Sequence, residues 1–262
     1  MNIGDAKKIV VKVGTSTLTY ENGKLNLSLV EKLCRTLSDL ANSGKQLVLV
    51  TSGAVGVGFG KMGITERPAE TAKKQAAAAV GQCELMFVYD KFFGEYNQIV
   101  AQVLLTAGVT STENSRTNVQ NTFNELIKAG VIPIVNENDT VDTSELEGVN
   151  FGDNDALSAI VAEIVGADLL MILTDTDGLY DKDPKKNVDA KIINVVEKIT
   201  EDIKNLAGAA GSNRGTGGMA TKLKAAEHSV DNGIPCVIMN GNNPANIYKV
   251  LSGDVVGTVF KA

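Results

Sequence analysis

Ile9-Val10-Val11-Lys12-Val13 is an apolar, β-branched run broken by one lysine, and it leads directly into Gly14-Thr15-Ser16. A strand with one face in water alternates apolar and polar residues. This one is apolar on both faces, the pattern of a strand inside a sheet covered on each side. Five further runs, at 46–51, 98–105, 131–135, 169–174 and 235–239, are strand candidates, several of them also apolar on both faces. Helical patterns lie between them. Within 28–41, Leu29, Leu33, Leu37 and Leu40 share one face, and Ser28 and Glu31 are spaced as a capping box at its start. Val119, Phe123, Leu126 and Ile127 form a second stripe; Leu157, Ile160, Val161, Ile164 and Val165 form a third. Strands alternating with helices imply an α/β fold with a largely parallel, doubly wound sheet. Asn22-Gly23, between 17–20 and 24–27, reads as a small hairpin turn.

Lys12 links that fold to chemistry. A buried ammonium is expensive unless it meets an anion. At the C-terminal end of a parallel strand that anion can be a ligand phosphate, held also by the backbone amides of the next turn. The alternative is an edge lysine reaching outward to water; the small and hydroxyl residues that follow favour the phosphate. Gly215-Thr216-Gly217-Gly218-Met219-Ala220-Thr221-Lys222 enters a helix carrying Leu223, Ala226 and Val230 at helical spacing. Glycines ahead of a helix N-terminus expose amides to a phosphate. Lys222 adds charge in the first turn, where a lysine otherwise opposes the helix dipole. A mobile loop followed by a solvated lysine is the alternative reading of this segment. Thr51-Ser52-Gly53-Ala54 ends the second strand, where a hydroxyl either binds substrate or simply turns the chain. Gly152-Asp153-Asn154-Asp155 opens the third apolar stripe; one polar residue caps the helix, and more are present than a cap needs. Thr174-Asp175-Thr176-Asp177-Gly178-Leu179-Tyr180 suits a nucleotide pocket or an ordinary βα turn. Gly58-Phe59-Gly60-Lys61-Met62-Gly63 fits the GxGxxG pattern, but its glycines begin well beyond Thr51, so it reads as a flexible glycine-rich loop and not as a dinucleotide site.

Composition excludes several classes. With 262 residues, 44% of them hydrophobic and 21% charged, the chain has the make-up of a globular protein and the length of one large domain. A net charge of −6 argues against a surface that coats nucleic acid. No apolar run approaches the roughly 20 residues a membrane helix needs, and the first residues carry no signal pattern, so a cytoplasmic location without membrane contact is expected. The three cysteines, Cys34, Cys83 and Cys236, suit a reducing compartment. His228 is the single histidine, which weakens any reading as Ser-His nucleophilic catalysis or a His-metal centre.

Taken in order, a set of motifs resembles the amino acid kinase family over nearly the whole chain. They are Val11-Lys12-Val13-Gly14-Thr15-Ser16, Thr51-Ser52-Gly53-Ala54, Lys74-Gln75 through Ala79-Val80-Gly81-Gln82, and Leu104-Leu105-Thr106. Asn136-Glu137-Asn138-Asp139, Gly152-Asp153-Asn154-Asp155, Leu173-Thr174-Asp175 with Gly178-Leu179-Tyr180, Asp183-Pro184, and Gly215-Thr216-Gly217-Gly218-Met219 through Lys222 complete the set. The resemblance implies a three-layer αβα sandwich in which residues 1–165 or so bind the acceptor and 166–262 bind ATP. It also implies ATP-dependent phosphorylation of the L-glutamate side-chain carboxylate, the first step of proline biosynthesis. On that resemblance Lys12 and Lys222 serve the transferring phosphoryl group and Asp155 orients both lysines. Ser52, Asp139 and Asn154 match acceptor-binding positions. Thr174, Asp175, Thr216, Gly217, Gly218, Met219, Ala220, Thr221 and Lys222, with Lys12, match the ATP site. Mg²⁺ is expected on the ATP phosphates and not at a dedicated protein site. A homo-oligomer, functional coupling to a glutamyl phosphate reductase, and the lack of the C-terminal PUA domain of many members complete the expectation. Sister kinases of N-acetylglutamate, aspartate, carbamate or UMP are the alternative within the family, and a ligand sensor without turnover is the alternative outside it.

Overall fold

Alternate residues of the first strand enter two different cores. In the computed structural model, which describes residues 3–64, 66, 68–106, 108, 112–141, 154–209 and 218–262, strand β1 (Lys8–Val13) turns Ile9, Val11 and Val13 to one side and Val10 to the other. Strand β2 (Gln46–Val50) divides Leu47 and Leu49 from Val48 and Val50 in the same way. β3 (Val100–Leu105), β4 (Ile132–Glu137), β5 (Leu169–Thr174), β6 (Val195–Val196), β7 (Cys236–Asn240) and β8 (Thr258–Phe260) complete the sheet among the described residues. Its order is β3-β4-β2-β1-β5-β7-β8-β6, parallel throughout except where β7 meets β8. β6 and β8 lie outside the strands read from the sequence. Strands of two and three residues at the sheet's edge carry too short a pattern to stand out.

Helices cover both faces. α1 (Thr15–Leu18), α2 (Leu27–Asn42), α3 (Ala54–Met62), α4 (Thr71–Glu95) and α9 (Asn246–Leu251) pack on the Val11 side. α5 (Glu113–Lys128), α6 (Asn154–Val165), α7 (Glu201–Ala209) and α8 (Met219–Asp231) pack on the Val10 side. The result is the expected αβα sandwich. Because the central strands β1, β2, β4, β5 and β7 are buried on both faces, burial and not alternation specifies them. Among the described residues no helix is long and apolar enough to cross a membrane.

Three local expectations are corrected. Asn26, not Ser28, caps α2: its side-chain oxygen accepts from the Leu29 amide at 3.2 Å, while Ser28 is exposed and Glu31 is engaged by the Tyr96 hydroxyl. The Asn26 amide donates to Leu18 O at 2.8 Å, which sets the chain's entry two residues early and places the amide oxygen where a capping group belongs. The Asn22-Gly23 turn forms, with Gly23 at φ 78, but it closes on the single Thr19–Leu25 bridge, and the residues before it are the short helix α1. The glycine-rich 58–63 segment is helix α3, not a loop. Gly58 of α3 and Gly81 of α4 serve a helix crossing: an ideal Cβ on Gly58 would fall 1.8 Å from Ala77 O, and one on Gly81 would fall 1.8 Å from Ala54 O. Glycine costs a helix stability through chain entropy, so its presence at both contact points marks how closely α3 and α4 must approach. Gly81→Ala is expected to destabilise the protein by about 1–3 kcal/mol or more, the range of overpacked interiors. A lower urea midpoint with unchanged slope would confirm this, and an unchanged midpoint would show that the two helices separate freely.

Candidate active site

Lys12 is the next even-numbered residue after Val10, so it projects from the last turn of β1 toward the α6 layer. β1 lies between β2 and β5, pairing Lys12 with Val50 and Ile172, which removes any route to the sheet's edge. The first turn of α6 meets it with Asp155, which is 0% exposed. Lys12 Nζ lies 2.5 Å from Asp155 Oδ1. From the first turn of α8, Lys222 Nζ reaches Asp155 Oδ2 at 3.0 Å, and Thr221 Oγ1 lies 3.1 Å from the same oxygen. Both lysines are buried. Burial alone pushes the Asp155 carboxyl up; the charges and hydrogen bonds of Lys12 and Lys222 outweigh it and hold the group below the ordinary aspartate range. Among the described residues, the two ammonium groups and one carboxylate of this cluster carry one positive charge in excess. A buried cluster of that kind is completed by an anion.

Ser52 stands at the end of β2, one strand away. Its hydroxyl donates to Val13 O at 3.1 Å and accepts from Thr15 Oγ1 at 3.3 Å, which pins it beside the end of β1. Gly53 then takes φ 94 to turn the chain into α3, with Thr15 Cγ2 3.1 Å from where a Cβ would sit. No side chain caps α3, so its first amides open onto this edge. Asp139 is buried in the turn that follows β4.

Asn154 joins the same edge through a chain of amides. The Glu137 amide donates to Asn136 Oδ1 at 2.9 Å, Asn154 Nδ2 donates to that oxygen at 3.2 Å, and Asn136 Nδ2 donates to Gln82 Oε1 at 2.8 Å. Gln82 and Asn136 appear in the sequence motifs without a role of their own. The signal was there in kind: an asparagine ending an apolar strand and a glutamine inside an alanine-rich helix are both out of place unless partnered.

At the end of β5, Thr174 is buried and its hydroxyl donates to Asp175 Oδ1 at 3.1 Å, with Asp175 itself exposed. Gly241 N donates to Thr174 O at 2.7 Å and Asn240 Nδ2 to Asp177 Oδ1 at 2.8 Å, tying this turn to the end of β7. Gly218 precedes α8 without a side-chain cap, Met219 is buried and Ala220 exposed. Thr216 and Gly217, with Gly152 and Asp153, lie outside the described residues. Thus Lys12, Lys222, Thr221 and Asp155 meet directly; Ser52, Asp139 and Asn154 lie on the β2–β4 side of them, Thr174 and Asp175 on the β5–β7 side. They come from the carboxyl ends of parallel strands and from the first turns of α6 and α8 beside them, the edge where open α/β sheets bind ligands. His228 takes no part: it sits in the last turn of α8, its Nε2 2.8 Å from Glu163 Oε2, beside Arg116.

The model of the Amino acid kinase family matches residues 7–240, which spans every described group of this site. The chain belongs to the amino acid kinase family. Within it, the protein called Glutamate 5-kinase in Clostridium perfringens (strain 13 / Type A) is 56% identical over 259 residues, covering 98% of this chain and 96% of that one. The Glutamate 5-kinase of Ligilactobacillus salivarius (strain UCC118) is 52% identical, covering 99% and 97%. Solved structures carry the same fold at lower identity. An isopentenyl phosphate kinase of T. acidophilum, in a product complex, superposes with a TM-score of 0.64 at 17% identity, covering 97% of this chain and 100% of that chain. The UMP kinase of Bacillus anthracis gives 0.64 at 17%, covering 98% and 96%. At that identity the likeness bears on the fold.

Proposed function

We propose that this amino acid kinase transfers the γ-phosphoryl group of ATP to the side-chain carboxylate of L-glutamate, giving L-glutamyl 5-phosphate and ADP, the first step of proline biosynthesis. The observation that carries the chemistry is the buried Lys12–Asp155–Lys222 cluster, two ammonium groups converging on one carboxylate. The relatives called Glutamate 5-kinase, more than half identical over nearly the full chain, support the acceptor. A carboxylate with an ordinary pKa of about 4.3 is ionised at neutral pH, so it attacks without a general base. Its oxygen forms the new bond to the γ-phosphorus as the bond to the β-phosphate oxygen breaks. The obstacle is the approach of an anion to a polyanion, and positive charge with fixed positions lowers it.

In this reading Lys12 and Lys222 face the transferring group. Asp155, its pKa held down, stays ionised and anchors both ammonium groups; it is an orienting residue, not a base. Ser52, Asp139 and Asn154 hold the amino acid. Thr174, Asp175, Thr216, Gly217, Gly218, Met219, Ala220 and Thr221 form the nucleotide side, so that residues up to about 165 serve the acceptor and 166–262 serve ATP. Mg²⁺, when bound, supplies charge neutralisation on the polyphosphate. Asp155 is already committed to two ammonium groups, so the cation's ligands would be phosphate oxygens. The acyl phosphate product is reactive, which accounts for functional coupling to a glutamyl phosphate reductase. A homo-oligomer in the cytoplasm belongs to the same reading; the cysteines are free, and burial pushes the thiols of Cys34 and Cys236 up, away from reactive thiolates.

The test is ATP turnover with Mg²⁺, L-glutamate and hydroxylamine, following ADP and hydroxamate together. Glutamate-dependent ADP with matching hydroxamate is expected. Turnover instead with aspartate, N-acetylglutamate or UMP would move the acceptor, and folded protein inert toward all four would point to a sensor.

A further inference from the structure

The amide chain at the acceptor side has a direction, and the direction leaves two atoms over. A backbone N–H can only donate, so the Asn136 atom 2.9 Å from Glu137 N is Oδ1. Asn136 Nδ2 therefore points at Gln82, whose facing atom must be the acceptor Oε1, at 2.8 Å. The Asn154 atom that reaches Asn136 Oδ1 must likewise be the donor Nδ2, at 3.2 Å. What remains is Gln82 Nε2, a donor, and Asn154 Oδ1, an acceptor. Both are buried without a hydrogen-bond partner among the described residues, in side chains whose residues are only 8% and 6% exposed. Buried orphans of this kind are uncommon and expensive, and three coupled amides make their orientation costly to reverse.

One donor and one acceptor, held apart by a rigid chain, match the head of a zwitterionic α-amino acid. Resting on the glutamate reading above, we propose that Gln82 is a specificity-determining residue: Nε2 donates to the acceptor's α-carboxylate while Asn154 Oδ1 accepts from its α-ammonium. Asn136 positions both, because it hydrogen-bonds the two side chains and the Glu137 backbone. Gln82 comes from α4, the wall opposite α6, so the head of the amino acid is gripped between the two helix layers while its side chain extends toward Lys12 and Asp155. The pattern predicts weaker binding of acceptors that lack either head group.

Gln82→Glu keeps the acceptor that Asn136 needs and turns the free donor into an oxygen. The KM for L-glutamate is expected to rise about 10- to 100-fold, the worth of a hydrogen bond to a charged group, with little change in kcat or in the KM for ATP. Competitive inhibitors separate contact from general damage. Glutarate keeps the carboxylate and lacks the ammonium, so its inhibition constant should rise in step with the glutamate KM. 4-Aminobutyrate lacks the α-carboxylate, and its constant should stay within a few-fold of wild type. Gln82→Met, of similar volume and uncharged, should show the same split. Equal weakening of both inhibitors, or an unchanged glutamate KM, overturns the assignment of Gln82. Failure of the wild-type chain to phosphorylate L-glutamate overturns the function reading instead, before any variant is compared.

Discussion

Lys222→Ala is expected to lower kcat by at least about 10²- to 10³-fold, the range seen when one group stabilising transition-state charge is removed from a preorganised site. The KM for L-glutamate should move only a few-fold. The split follows from where the ammonium stands. It reaches the cluster from α8, on the nucleotide side, and it is one of two positive charges around a single carboxylate. Removing it takes away one of the two positive charges that the transferring group would meet, yet leaves Lys12 paired with Asp155, so folding should survive. Lys222→Arg keeps the charge in a planar fork that cannot place a single compact donor 3.0 Å from Asp155 Oδ2, and it should recover only part of the rate. Steady-state kinetics with both substrates varied decide the matter. A large rise in KM with kcat preserved would make Lys222 a uniform binding residue.

The two-faced apolar strands made the sheet legible. β1, β2 and β5 are buried on both sides, and their hydrophobic runs end within a residue or so of the structural limits. β8 and β6 were not legible, because pairing on an existing edge, not their own composition, makes them strands. α3 was misread for a related reason. Glycine spacing in one dimension cannot distinguish a flexible loop from a helix whose bare face meets another backbone, and only the approach of Ala77 O to Gly58 tells them apart.

For the site, residue type was the stronger guide. Lys12 in a doubly buried strand needs an anion, and Asp155, buried at 0% exposure in an apolar helix, needs a cation; each is anomalous alone and explained by the other. That Lys222 joins the same carboxylate from 67 residues away could come from resemblance but not from spacing. Gln82 and Asn136 remained roleless because a buried amide becomes informative only once its partners, and the atoms left without them, are known.

Asp155→Asn carries the larger expected effect on stability. The amide retains the shape and can still accept one hydrogen bond, but it removes the negative charge with which both buried ammonium groups pair. Breaking a buried pair in this way costs about 3–5 kcal/mol, in contrast to replacing the whole cluster by apolar residues. The pH dependence supplies the sign. The Asp155 carboxyl is held below its unfolded value of about 3.9, so its contribution is fully present above that value and is lost as pH falls through the folded pKa. Urea titrations should therefore show the wild type well above the variant at pH 7, with the gap narrowing once pH drops below about 4. A gap independent of pH would mean that shape, not charge, makes Asp155 necessary. Inorganic phosphate supplies a second readout. With the carboxylate gone, an anion can take its place beside Lys12 and Lys222, so phosphate should raise the melting temperature of the variant more than that of the wild type. Turnover should not return with it, because the anion that neutralises the lysines occupies the place the transferring phosphoryl group must take.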